Sequence, residues 1–240
     1  MGELKLLGIS GSPRDGNSLF LLKKAVEVAK AEVICHVNGI LYSFRGKRFA
    51  PCVHCNRCSD LRGSCVQQDD FQDLQDLWLK SDVILYSVPV YHMGIPGQLK
   101  CFLDRLGQCF FARSPKSPLP LKVIGVIAQG MFSYCGQEIT LTSLIHHTLI
   151  MEAIPVTVDN TIGVGMMGVG AWTRKERGKH ALEHQYKEKE MEAEIAVRAS
   201  ENLAKRAIEL AFALRLGVAA AKERAASIPD YQPSLFGSIL

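Results

Sequence analysis

Four cysteines fall within fourteen residues as Cys52-x2-Cys55-x2-Cys58-x6-Cys65, with Pro51 before them and Gly63 inside the run. Thiolates at such separations let one loop wrap a compact soft centre, either an iron–sulfur cube or a tetrahedral zinc. Three close cysteines followed by a fourth match a [4Fe–4S] loop better than structural zinc, which usually takes two separated Cys-x2-Cys pairs. His54 and Arg57 lie inside the motif, where charge or hydrogen bonding can tune a bound centre, although exposed loop residues seldom do so. The remaining cysteines, Cys35, Cys101, Cys109 and Cys135, fall on expected core elements and read as buried apolar thiols.

A second segment, Ser10-Gly11-Ser12-Pro13-Arg14-Asp15-Gly16-Asn17-Ser18, follows a short apolar run and precedes an amphipathic stretch. Between a strand and a helix it is an anion site: unpaired N–H groups open the helix, hydroxyls donate, Arg14 adds a charge, and glycine lets the backbone approach. It is neither the Gly-x-Gly-x-x-Gly dinucleotide fingerprint nor a Walker loop, and a terminal monophosphate suits it better. An ordinary strand-to-helix turn is the bland alternative.

The elements that must position these groups alternate. Apolar runs at 4–9, Glu32–Val37, Val83–Val88, Lys122–Ala128 and Ile154–Val158 read as five strands. Helices are expected from an N-cap at Asn17 or Ser18, and around Phe71–Lys80, Ile95–Leu106 and Gln137–Met151. That alternation argues a parallel sheet covered on both faces. Residues 38–69 form a cysteine-rich insertion, 160–173 a flexible Gly/Met-rich surface loop, 174–216 one long C-terminal helix, and 217–240 an arm that is frayed or docks on a neighbouring subunit. One elaborated domain over 1–216 accounts for the chain.

Composition narrows the class. With 240 residues, 48% apolar and 22% charged, the chain is an ordinary globular sequence. A net charge of +4 without a long basic run interleaved with aromatics makes nucleic acid a weak partner. No window reaches the roughly 18 apolar residues of a membrane span, and Glu3-Leu4-Lys5-Leu6-Leu7 is not a signal-peptide start. A cytoplasmic setting is expected, in which clustered thiols read as metal ligands before disulfides.

Three motifs taken in order, Gly8–Ser18, then Pro89-Val90-Tyr91-His92-Met93-Gly94, then Leu99-Lys100-Cys101-Phe102-Leu103-Asp104-Arg105, resemble the flavodoxin-like NAD(P)H-dependent FMN reductase family over roughly residues 1–160. The resemblance implies a doubly wound five-stranded parallel sheet of order 2-1-3-4-5. It assigns Ser10, Ser12, Arg14, Asn17 and Ser18 to the FMN phosphate, and Pro89, Val90, Tyr91, His92, Met93 and Gly94 to the isoalloxazine ring. Gln129 and Gly130 supply a third contact. Pro89 and Tyr91 suit a flat apolar wall. His92 is read as a hydrogen-bonding group rather than a catalytic one, and Lys100, Asp104 and Arg105 as a locally paired helix face or a subunit contact.

The cysteine spacing is similar to that of the iron–sulfur flavoproteins, a branch of the same family with a Cys-x2-Cys-x2-Cys-x4–7-Cys motif in this loop. What that implies is FMN exchanging electrons with a [4Fe–4S] cluster on Cys52, Cys55, Cys58 and Cys65. A ferredoxin would be the donor, and oxygen, peroxide or quinones the acceptors, in a homodimer or homotetramer with one subunit's cluster near another's flavin. Two rivals stay open: an NAD(P)H-dependent FMN or quinone reductase whose cysteines are vestigial or bind zinc, and a flavodoxin-like binding module with a zinc-stabilised loop.

Overall fold

The computed structural model describes residues 2–113, 119, 121–159, 167–173, 178–231 and 233. The elements run β1 (Leu4–Ser10), α1 (Asn17–Lys30), β2 (Val37–Ser43), α2 (Arg57–Asp60), α3 (Phe71–Lys80), β3 (Val83–Pro89), α4 (Gly97–Ala112), β4 (Val123–Gly130), α5 (Gln137–Ile150), β5 (Ile154–Pro155), β6 (Val169–Trp172), α6 (Ala181–Lys187) and α7 (Met191–Ala226). The sheet is parallel in the order β2-β1-β3-β4-β5, and β6 also pairs with β4. This is the flavodoxin-like arrangement with a long C-terminal helix.

Side chains alternate across the strands and divide the core in two. On one face Leu4, Leu6, Val83 and Leu85 pack with α1 residues Leu21, Leu22 and Val26 and α7 residues Val197, Leu203 and Ile208. On the other, Leu7, Ile9, Ile84 and Tyr86 pack with Trp78 of α3, Phe102 and Leu106 of α4, and Leu144 of α5. The central strands β3 and β4 are buried along their whole length, as expected of strands covered on both faces.

Three elements depart from the sequence reading. The second strand is Val37–Ser43, not Glu32–Val37. The apolar residues of 32–35 lie in the connection, where Val33 is 99% exposed, and the strand itself is an edge in which only Val37 and Tyr42 are buried. The insertion therefore begins at 44 rather than 38.

The fifth strand is cut to Ile154–Pro155, although Val156 still donates to the Ile124 carbonyl of β4 at 3.0 Å. Its place beside the upper half of β4 is taken by β6, with Ile127 opposite Val169 and Gly130 opposite Trp172. Part of the stretch read as a flexible loop is thus a buried strand, while 160–166 lies outside the described residues.

The single C-terminal helix is two helices. They are separated at Glu188–Glu190, where Lys189 adopts a left-handed φ of 58°. Residues 174–177 lie outside the described residues, as does the Leu235-Phe236 pair of the arm, whereas residues 217–226 continue α7. Ala211 is the last buried residue of α7. Among the described residues no helix is long and apolar enough to cross a membrane.

Candidate functional site

β1, β3 and β4 deliver their carboxyl ends to one edge, with Ser10 opposite Ser87 and Pro89 opposite Gln129. Pro89, Val90, Gln129 and Gly130 are thereby brought together, and the Val90 N–H donates to the Gln129 carbonyl at 2.8 Å. Beyond them Tyr91 and Gly94 exchange backbone hydrogen bonds of 2.9 and 3.0 Å, closing a two-residue turn. His92 and Met93 occupy its centre with φ of 45° and 66°, a conformation in which non-glycine residues are strained. Tyr91, His92 and Met93 all face solvent.

The loop after β4 supports that turn. Gly136 has φ 102°, and a Cβ there would stand 2.4 Å from the Met93 Cα, so both its conformation and its close approach exclude a side chain. Gln137, which is buried, accepts from the Cys135 N–H at 3.0 Å and donates to the carbonyls of Phe132 at 2.6 Å and Ala171 at 3.2 Å. It thus ties the loop to β6. Phe132 and Tyr134, the latter 88% exposed, stand on this loop, just beyond Gly130, which lies opposite Trp172 of β6. Phe132, Tyr134, Gly136 and Trp172 carry no spacing signal, because the loop has no motif and β6 no visible strand pattern.

Ser10, Ser12 and Ser18 are buried at the β1–α1 junction, and Arg14 is exposed. The Ser10 hydroxyl has no hydrogen-bond partner among the described residues, and the Ser12 hydroxyl accepts from the Arg14 N–H at 3.2 Å. A leftover buried hydroxyl and a free guanidinium beside a helix start fit a monophosphate. Gly16, rather than Asn17 or Ser18, takes the N-cap position. Asn17 is drawn elsewhere, accepting from the Leu182 N–H at 3.0 Å and donating to the Gly178 carbonyl at 3.3 Å, so it seats the start of α6 on the loop. Asp15 is bound by Arg45 at 2.7 Å and Ser43 at 3.0 Å, and the Arg45 hydrogen bond leads in holding its carboxyl below the usual range.

The cysteine insertion leaves the same edge and then runs down α4. Cys52, Cys55, Cys58 and Cys65 line one pocket together with Arg105, Gln108 and Cys109 of α4. Gly63 anchors the return: its φ is 96°, a Cβ would lie 2.6 Å from that of Arg113, and its carbonyl accepts from buried Gln75 at 2.8 Å. Among the described residues no three His, Cys, Asp or Glu side chains converge as a single ion would require. Four thiolates around one pocket are a donor set that an iron–sulfur cube accepts, as does a tetrahedral zinc.

Of the other cysteines, Cys109 is buried as expected, while Cys35, Cys101 and Cys135 are half-buried. Burial, then the proximity of Cys65, Cys58 and Cys52, pushes the Cys109 thiol up to about 12. It remains a protonated neighbour of the four.

Lys100 and Asp104 pair along α4 as their spacing predicts, but Arg105 does not join them. It turns inward to Asp69, 36 positions away, with Nη1 donating to both carboxylate oxygens at 2.8 and 2.6 Å. Nη2 donates to the Gln67 carbonyl at 2.8 Å. Burial works to raise the Asp69 carboxyl, but hydrogen bonds from Ala50, Arg105 and Phe71 outweigh it and leave the group lowered.

Comparison with known proteins agrees with this geometry. The family model described as NADPH-dependent FMN reductase matches residues 4–162. An iron–sulfur flavoprotein of Methanocaldococcus jannaschii is 32% identical over 183 residues, covering 75% of this chain and 87% of its own. One from Archaeoglobus fulgidus is 29% identical over 213 residues, covering 88% and 98%. Among solved structures, the flavodoxin-like WrbA-like protein of Agrobacterium tumefaciens superposes with a TM-score of 0.51 at 14% identity, covering 87% of this chain and 97% of that one, which speaks for the fold alone. The chain belongs to the NADPH-dependent FMN reductase family, in its iron–sulfur flavoprotein branch, and is a flavin-dependent oxidoreductase.

Proposed function

We propose that this oxidoreductase takes single electrons from a ferredoxin-like donor through a [4Fe–4S] cluster on Cys52, Cys55, Cys58 and Cys65, and delivers them by way of FMN to small acceptors such as oxygen, peroxide or quinones. The observation that carries the reading is the shared pocket of all four motif cysteines. FMN when bound supplies the conversion between one-electron and two-electron chemistry.

The protein's own residues have distinct tasks. Ser10, Ser12, Ser18 and Arg14 would hold the phosphate, with Asn17 closing α6 against the loop rather than touching the anion. Pro89 and Tyr91, with Met93 in a strained turn on the Gly136 backbone, would wall the ring, with Val90, His92, Gly94, Gln129 and Gly130 offering its polar edge backbone and side-chain partners. His92 is assigned no proton transfer.

The cysteine pocket meets α4 at Arg105–Cys109, eight to twelve residues beyond its start at Gly97. At 1.5 Å per residue that is about 12–18 Å along the helix from the ring turn. Such a separation supports an assembly, a homodimer or homotetramer, in which a neighbour's flavin lies closer to the cluster. NAD(P)H as the electron source is the competing reading, favoured by the description of the matching family.

Anaerobic purification followed by cofactor analysis tests the reading. About four irons and four sulfides per chain together with FMN are expected. Zinc in place of iron, or FAD in place of FMN, would refute it.

A further inference from the structure

Arg105 is the one cation in the wall of the cysteine pocket whose side chain is wholly buried, at 0% exposure. The guanidinium is fixed from three sides. Asp69 and the Gln67 carbonyl take Nη1 and Nη2, the Ala50 carbonyl lies 3.4 Å from Nη1, and the Phe71 ring lies 4.2 Å from the guanidinium carbon. An arginine usually meets a carboxylate through two nitrogens. Here Nη1 alone serves both oxygens, and Nε is left with no hydrogen-bond partner among the described residues.

A buried N–H without an acceptor is disfavoured and calls for an explanation. His54, Asn56, Gln67 and Gln108 of the pocket wall leave Nε unpartnered, and the acceptors that remain there are the sulfurs of Cys52, Cys55, Cys58 and Cys65 and of any sulfide they enclose. We infer that Arg105 tunes the redox centre of this pocket: its Nε–H donates to a cluster sulfur and its charge favours the reduced form. Asp69 is the positioning residue that aims the guanidinium and offsets part of its charge. The inference rests on the cluster reading above and deepens it.

The sign follows from electrostatics. Reduction adds one electron to the centre, with no bond made or broken, so a nearby positive charge and a donated hydrogen bond stabilise the product and raise the potential. Removing Arg105 must lower the potential. Neutralising Asp69 leaves the guanidinium charge uncompensated and must raise it. A purely structural ion pair predicts no such opposition.

The test is a redox titration of the reconstituted full chain, followed by the electron paramagnetic resonance of the reduced cluster, for wild type, Arg105→Gln and Asp69→Asn. Arg105→Gln is expected to shift the reduction equilibrium at least tenfold downward, about 59 mV for one electron, and Asp69→Asn to shift it upward. Should Arg105→Gln fail to retain its cluster, the Asp69→Asn titration decides alone. An upward shift supports the inference, and an unchanged or lowered potential overturns it. A wild type that takes up no iron and sulfide would refute the cluster reading itself, whereas a cluster whose potential ignores both variants refutes only the role of Arg105.

Discussion

The sheet edge proposed to hold the flavin and the pocket that gathers the cysteines are positioned by different means. At the edge, short loops hang from strands buried over their full length, and backbone contacts such as Gly136 against Met93 fix the geometry. In the pocket, a long connection with only one short helix is tied to its own fold by polar side chains, above all the Arg105–Asp69 pair with its carbonyl contacts. The edge inherits rigidity from the sheet. The pocket has to generate its own, and it does so with a buried charge pair, whose merit is specific placement rather than net stability.

Breaking the pocket should therefore cost more than trimming the edge. Cys58→Ala is expected to lose the cluster entirely while retaining FMN, and Cys101→Ala or Cys135→Ala to keep both; iron, sulfide and flavin analysis of each variant checks this. Asp69→Ala leaves the Arg105 charge buried and unpaired, and should cost about 3–5 kcal/mol of stability, read by urea denaturation of the apoprotein.

His147 serves as a control outside both sets of site residues. It sits in a groove between α4 and α5, and burial holds its imidazole down at about 4. The unfolded chain, with an ordinary imidazole near 6.5, binds the proton first as pH falls, so stability is full above 6.5 and is lost between 6.5 and 4. The loss amounts to up to about 3 kcal/mol. His147→Gln should flatten that part of the pH profile. Arg14→Ala and Ser12→Ala have the smallest effect, weakening FMN about tenfold, or ~1.4 kcal/mol, with less change in folding; FMN titration beside thermal melts measures both.

The two regions also differed in how far the sequence revealed them. β1, β3 and β4 are legible because a strand buried on both faces is a continuous apolar run, and the loops at their ends come with it. The cysteine motif is legible because its ligands are local in sequence. Arg105 is not: its partner lies 36 residues away, and the i,i+4 pairing of its neighbour Lys100 with Asp104 invited a local reading. β6 stayed hidden because four residues, Val169–Trp172, in a glycine-rich stretch carry no period of their own and form a strand only where β5 ends at Pro155. The side-chain bonds of Asn17 to Gly178 and Leu182, more than 160 residues away, are likewise not announced by anything local.

In the proposed function electrons reach the flavin through the cysteine pocket. Rapid anaerobic mixing of reduced ferredoxin with wild type and with FMN-replete Cys58→Ala, following flavin absorbance, tests it most directly. Flavin reduction is expected in the wild type and is lost in the variant, while dithionite still reduces both flavins. Equal ferredoxin-driven rates in the two proteins, or flavin reduction by NAD(P)H alone at a rate unaffected by the substitution, would contradict it.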